Sequence, residues 1–358
     1  MTNSNSRNGA RPRTFDLERA PRLAAWLAEK LGAKAVEITD ATMLSGGAVQ
    51  ENWRLTVAID GGIRAGLHDW VLRTDAVASL AISLDRASEY AVLETAHASG
   101  VAVAEPIVRS DDTNVLGASF LIQQYVAGVA QARQLVRDKD LPRRGPLIAA
   151  ELGRELARAH AIRPTDNRLS MLPIPVGSAA LNEVQRYRAV LDGAGEPRPA
   201  LEYALSWLAA NAPDAVKPVL VHGDFRTGNM MVDGDRVSAV LDWEFAHWGD
   251  PDEDIGWFTA PCWRFGNAQL EAGGLAPLSA FLSAYEDAAG RKVDLKRMAW
   301  WRIMAAARWA VIAVLQGDRY RLGGEDSIEV ALTGLMAPEI ELDAFDGIEA
   351  YEAGRPAP

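Results

Sequence analysis

The stretch Val221-His222-Gly223-Asp224-Phe225-Arg226-Thr227-Gly228-Asn229 decides how this chain reads, together with Val240-Leu241-Asp242-Trp243-Glu244 and Gly249-Asp250-Pro251-Asp252-Glu253-Asp254 beyond it. Asp224 and Asn229 stand five residues apart across a glycine-containing loop, and Asp242 follows Asp224 by 18 residues. Short apolar runs at Val219–Val221, Met230–Val232 and Val237–Leu241 read as strands. The hairpin formed by the last two returns Asp242 to the mouth of the loop, where three oxygen-bearing side chains converge. Asp, Asn and water oxygens suit hard Mg²⁺, which takes few protein ligands and lets substrate phosphates complete its shell. A phosphoryl donor is the natural ligand of such a set. Taken singly, the same residue types also favour turns and caps.

In order, His222-Gly223-Asp224 with Asn229, Leu241-Asp242 with Glu244, and Gly249-Asp250-Pro251 with Asp254 resemble the catalytic core of the aminoglycoside phosphotransferase family, small-molecule kinases with a protein-kinase-like fold. The resemblance implies an α+β, two-lobed fold: a small antiparallel-sheet N-lobe over residues 17–126 and a larger, mainly helical C-lobe over 127–345. Residues 1–16 and 346–358 read as tails. It also implies an ATP-dependent transfer of a phosphoryl group to a small-molecule hydroxyl, with Asp224 as catalytic base and Asn229 and Asp242 holding Mg²⁺. Asp254 is expected to brace the loop, and His222 to orient it as a structural histidine. His97 and His160 sit in helical patterns and read as packing or surface residues.

The resemblance extends toward the N-terminus. Leu44 to Asn52, with Gly46 and Gly47, resembles the family's loop over the nucleotide phosphates, where glycine lets backbone approach closely. Gln123-Gln124-Tyr125-Val126 with Gly128 resembles the hinge, whose backbone groups at Gln124 and Val126 would meet adenine. One departure stands out. The family places a Lys on the third strand, paired with a Glu on the next helix, whereas this chain has Val71-Leu72-Arg73. Lys30 and Lys34, the only lysines before the hinge, precede the first strand. Arg73 is therefore the expected phosphate contact, with Glu89 its partner; its fork of donors suits phosphate although its reach differs from that of Lys. Arg at this point is similar to a branch that includes the kinase-like domain fused to some acyl-CoA dehydrogenases.

Periodicity fills in the rest. Glu18–Leu31 carries Leu23, Trp26, Leu27 and Leu31 at helical spacing and ends at Gly32. Val36–Leu44, Glu51–Ile59 and Ala65–Arg73 read as an antiparallel meander, followed by a helix over Ile82–Ser99 and a strand over Phe120–Tyr125. Helices are predicted over Leu147–Ala161, Glu183–Leu191, Leu201–Ala210, Leu278–Ala289 and Leu295–Leu315. Within the last, Arg302 and Arg308 each cost about 2.5–3.5 kcal/mol at a bilayer centre, so it reads as a buried helix and not a membrane span.

Composition bounds the function. The 358 residues carry 37 Lys+Arg against 48 Asp+Glu, a net charge of -11, which argues against a general nucleic-acid or anionic-membrane binder. Apolar residues at 49% exclude wholesale disorder. The single cysteine, Cys262, forms no internal disulfide, and a cytoplasmic setting is expected. Two rival functions stay open on residues alone. A metal-dependent phosphoester hydrolase would use His222 and Asp224 but wants more histidine than His247. A non-catalytic nucleotide-binding module is suggested by Arg73 in place of Lys. For the acceptor, Trp257, Trp263, Trp300, Trp301 and Trp309 offer apolar surface after Asp242, favouring a hydroxyacyl thioester or another lipophilic alcohol ahead of an aminoglycoside.

Overall fold

The structure, a computed structural model, describes residues 15–44, 50–75, 83–165, 167–194, 196–322 and 327–355. These fall into two compact units, one formed by residues up to Glu94 with Ala104–Tyr125, the other by Thr95–Val103 with the chain from Val126 onward.

The first unit begins with helix α1 (Ala20–Leu31), which starts at a Pro and stops where Gly32 turns left-handed (φ 60) and caps the last carbonyls. Strands β1 (Ala35–Met43), β2 (Gln50–Asp60) and β3 (Gly66–Asp75) form the meander. Helix α2 (Arg86–Ala98) follows, then β4 (Pro106–Ser110), a one-turn helix α3 (Thr113–Leu116) and β5 (Phe120–Gln124). All pairings are antiparallel, in the order β1-β2-β3-β5-β4. Alternation drives the packing: Trp53, Leu55, Val57 and Ile59 of β2 face one core with Trp70 and Leu72 of β3, Ile122 of β5 and Leu23 and Leu27 of α1. Phe15 is fully buried in that core, its ring 5.4 Å from Trp53, so the expected tail over 1–16 does not extend this far. A large aromatic just ahead of a helix found an apolar socket.

The second unit is mostly helical. Its helices are α4 (Ala132–Val136), α5 (Leu141–Ala159), α6 (Ala179–Asp192), α7 (Pro199–Ala210), α8 (Pro251–Thr259), α9 (Leu278–Ala289), α10 (Leu295–Arg321), α11 (Ile328–Leu335) and α12 (Ala337–Glu352). Its strands are β6 (Val219–Val221), β7 (Met230–Asp233), β8 (Arg236–Val240) and β9 (His247–Gly249). β7 and β8 form a hairpin, and β6 pairs antiparallel with β9. The segment Thr95–Val103 belongs here because Ala102 hydrogen-bonds to both Val240 of β8 (2.7 Å) and Glu155 of α5 (2.7 Å). α10 is the central element, apolar on nearly every side, with Trp300, Trp301, Ile303, Ala307 and Val311 packed among α6, α7 and α12. By composition it is long and apolar enough to cross a membrane, but 78% of that window is buried inside the protein. α12 buries Ala337, Ile340, Ala344 and Ile348, a three-to-four-residue spacing, and runs through Glu352. The expected tail from 346 is therefore helical for its first seven residues, its apolar stripe hidden in the sequence by interleaved acids.

Candidate active site

The loop from His222 to Asn229 joins β6 to β7, and its shape is fixed from beneath by α8. Asp250 caps that helix by accepting from Asp252 N–H (2.9 Å), and Pro251 fits the first turn. One turn in, fully buried Asp254 accepts from the backbone N–H groups of His222 (2.8 Å) and Gly223 (3.0 Å) and from His160 Nε2 (3.2 Å). Burial alone would push the Asp254 carboxyl up, but His160 and the His222 backbone hold it below the ordinary carboxylate range. His160, the residue that caps α5, also bonds the Tyr285 hydroxyl (2.8 Å) and so serves the loop through Asp254. His222 is fully buried with both ring nitrogens engaged, Nδ1 by Asp224 N–H (3.1 Å) and Nε2 by the Leu241 carbonyl (2.8 Å). Gly223 sits at φ 78, and a Cβ there would come within 2.4 Å of the Phe245 carbonyl, so only glycine fits.

Asp224 is 8% exposed. Asn229 Nδ2 donates to its carboxylate Oδ2 (2.6 Å) and backbone carbonyl (3.0 Å), bringing two of the expected residues into contact. Asn229 in turn accepts on its backbone carbonyl from Leu241 N–H (2.8 Å), next to Asp242. Asp242 stands in the left-handed region at φ 65, uncommon outside glycine but accessible to Asp. Two further donors on Asp224 were not read from the sequence. Trp257 Nε1 donates to Oδ1 at 2.7 Å, and Arg226 Nε lies 3.2 Å from both oxygens. Trp257 is three residues beyond Asp254 on α8 and so shares its face, a spacing that was available.

The Arg226 guanidinium stacks 4.6 Å from the Trp263 ring, which packs on Trp257 (5.1 Å) and Trp309 (5.0 Å). These three form one aromatic cluster beside Asp224. Trp300 and Trp301, expected with them, lie fully in the main core. Glu183, His247 and Glu253 place their ligand atoms within 4.8 Å of one another, but Arg186 (3.2 Å from Glu183) and Arg308 (3.9 Å from Glu253) compensate both carboxylates. Burial opposes the charged form of His247, yet Glu253 at 3.2 Å outweighs it and raises the imidazole to about 9.

In the first unit, Arg73 and Glu89 meet. Arg73 Nη1 lies 2.8 Å from Glu89 Oε1, and Arg86, not anticipated, bonds the other oxygen. All three are buried. Gln124 N–H donates to the Glu105 carbonyl (2.8 Å), which removes that N–H from nucleotide recognition. Val126 opens the second unit. Gly46 and Gly47 lie outside the described residues.

A strand, loop and hairpin that put Asn229 on Asp224 and bond Leu241, next to Asp242, to Asn229 lie in a helical unit that follows an antiparallel-sheet unit, the order of a protein-kinase-like fold. Residues 40–301 match the phosphotransferase enzyme family, and the chain belongs to it. Acyl-CoA dehydrogenase family member 11 of Pongo abelii is 27% identical over 285 residues, covering 74% of this chain and 35% of that protein, so the chain spans about a third of that relative's length. A Ralstonia eutropha JMP134 structure given the provisional name aminoglycoside phosphotransferase superposes with a TM-score of 0.71 at 22% identity, covering 95% of this chain and 99% of its own. A thermostable mutant of aminoglycoside phosphotransferase APH(4)-Ia, in a ternary complex with AMP-PNP and hygromycin B, gives a TM-score of 0.55 at 16% identity, covering 89% of this chain and 97% of its own. The chain combines the α+β fold of these structures with membership of that phosphotransferase enzyme family.

Proposed function

We propose that this chain transfers the γ-phosphoryl group of ATP to a hydroxyl on a small molecule with a substantial apolar part, a hydroxyacyl thioester or another lipophilic alcohol. The observation that carries this reading is the Asp224 carboxylate, held by Asn229 and Trp257 and flanked by the aromatic cluster of Trp257, Trp263 and Trp309. Ligand pockets are mostly apolar with a few fixed polar groups, and this cluster has that character. Arg226 beside the base disfavours a polycationic sugar and accepts a neutral or anionic partner.

Asp224 aligns the acceptor hydroxyl. A carboxylate is too weak a base to ionise an alcohol beforehand, so the proton passes to Asp224 late, as a loose transition state allows. The bond from the acceptor oxygen to the γ-phosphorus forms as the bond from the γ-phosphorus to the β,γ-bridging oxygen breaks, and ADP leaves with that oxygen on its β-phosphate. The residues present fit Mg²⁺: Asn229 spends its Nδ2 on Asp224 and keeps its carboxamide oxygen, and Asp242 supplies a carboxylate. Asn229 and Asp242 would hold that ion, which when bound neutralises charge on the donor phosphates. Arg73, kept in place by Glu89, contributes cationic charge to the phosphates, while the Gln124 carbonyl and Val126 take adenine. The hydrolase alternative needs His222 as a metal ligand, and both its ring nitrogens are already committed.

The test is an ADP-release assay with Mg·ATP against 3-hydroxyacyl thioesters, long-chain alcohols and kanamycin. Turnover with an apolar hydroxylated acceptor, lost in Asp224→Asn, supports the reading. Efficient phosphorylation of kanamycin with no apolar acceptor accepted would shift it to an antibiotic O-phosphotransferase. Nucleotide binding without transfer to any acceptor would favour the non-catalytic module.

A further inference from the structure

We propose that Trp257 and Arg308 are positioning residues for the catalytic base, a role that rests on Asp224 being that base. A carboxylate that must take one proton from one direction has two equivalent oxygens and a rotatable Cβ–Cγ bond. Here each oxygen has its own clamp. Asn229 Nδ2 takes Oδ2 at 2.6 Å and Trp257 Nε1 takes Oδ1 at 2.7 Å. The first clamp comes from the loop itself; the second comes from α8, 33 residues away in sequence.

Trp257 is held in turn by α10. The Arg308 guanidinium lies 4.1 Å from the Trp257 ring centroid, and its Nη2 donates to the carbonyl of Gly223, the residue immediately before Asp224. One buried cation thus orders the indole that grips the base and the peptide that carries it. Charge balance is local: Glu253, four residues before Trp257 on α8, lies 3.9 Å from Arg308 Nη1. Planarity matters, because only a guanidinium can stack on an indole while donating in its own plane to a carbonyl. The two helices also approach closely at this point. A Cβ on Gly256 would lie 2.5 Å from Trp301 Cβ, so the neighbour of Trp257 is seated directly on α10. Neither Trp257 nor Arg308 belongs to the motif around the loop, and α10 would have no need of a cation at 308 for packing alone.

The experiment uses the full chain with Mg·ATP as probe, reading single-turnover phosphate release onto water and, in parallel, turnover with 3-hydroxybutyryl thioester. Trp257→Phe keeps the ring and the stack but deletes the N–H. It should lower the transfer rate about 10- to 100-fold, the scale of a misplaced catalytic group, onto water as well as onto the acceptor, with KM for Mg·ATP unchanged. Arg308→Lys keeps the charge but not the fork and should lower the rate similarly, and the double variant should fall little below the worse single one. In ¹⁵N-Trp spectra, the indole resonance absent from Trp257→Phe should move in Asp224→Asn. If Trp257→Phe does not fold, Arg308→Lys and the indole shift carry the test. A wild-type rate in Trp257→Phe, a change confined to KM, or an indole resonance indifferent to residue 224 overturns the proposal. Full turnover in Asp224→Asn would remove the base assignment itself, whereas a dead Asp224→Asn beside a normal Trp257→Phe removes only this inference.

Discussion

Asp242 shows how much one residue's backbone contributes. Its φ of 65 places a non-glycine residue where strain costs on the order of 1–3 kcal/mol, and such positions cluster at functional sites. Replacement by Gly relieves the strain while deleting the carboxylate. Asp242→Gly should therefore keep the backbone turn yet lose Mg²⁺-dependent ATP affinity, measured by calorimetry with and without the metal; unchanged Mg·ATP affinity would exclude Asp242 as a ligand. Asp224→Asn is expected to keep nucleotide affinity and lose about 10²–10⁴ in rate, since removing a general base has that effect. Arg73 and Glu89 are in contact, so Arg73→Ala and Glu89→Ala should lower ATP affinity less than additively in a double-mutant cycle. At this scale the sequence was legible where residues are close along the chain: the five-residue step from Asp224 to Asn229 ends in a hydrogen bond, and the Arg73–Glu89 pairing was foreseen. Trp257 was read as acceptor-facing apolar surface and Arg308 as a charge within a buried helix, because their partners are set by how α8 and α10 pack, which local spacing does not encode.

Among the elements, α8 explains why Gly249-Asp250-Pro251 and Asp254 recur as one unit. The cap, the first-turn proline and the acid one turn later are the parts needed to start a helix under a loop and present a carboxylate to its N–H groups. β9, just before it, was missed because three residues are too few for alternation to register, and β4 because it opens at a proline. The helices with a clear stripe were legible to within a turn at most ends, while α5 begins six residues earlier than expected, with Pro146 inside it. The β9–α8 junction also predicts a pH dependence. His247 faces Glu253 and Glu183, with Arg186 and Arg308 behind them, and its pKa rises from 6.5 to about 9 on folding. A raised pKa means that the imidazolium stabilises the fold below about 6.5 and that this contribution is lost as pH climbs through 9. Melting temperature should fall across that window, and His247→Gln should flatten the fall; a slope that persists in the variant would assign it elsewhere. Close contact between α8 and α10 gives a second expectation. Gly256→Ala should destabilise by about 1–3 kcal/mol in chemical denaturation, because Trp301 has no room to retreat.

At the scale of the whole chain, the shift from a strand-rich first third to a helical remainder announced two units, and the structure divides at Tyr125, with the exception of Thr95–Val103, which joins the second unit through Glu155 and Val240. Charge acts over the same range but decides less. A net charge of -11 attracts polycations from a distance, so an aminoglycoside would associate with this surface whether or not it is a substrate. Exposed charges are screened beyond about 8 Å at 0.15 M salt, and what then remains is local: Arg226 lies 3.2 Å from Asp224 and stacks on Trp263. The two contributions separate under salt. Kanamycin titrated into the chain should give heat at about 50 mM salt that vanishes by about 500 mM, whereas a lipophilic hydroxyacyl thioester seated on the Trp257–Trp263–Trp309 cluster should bind with little salt dependence. Arg226→Ala should narrow the difference by removing the cation that a polycation must approach. Saturable kanamycin binding at high salt, with phosphorylation that Arg226→Ala leaves untouched, would place the acceptor specificity on residues other than this cluster.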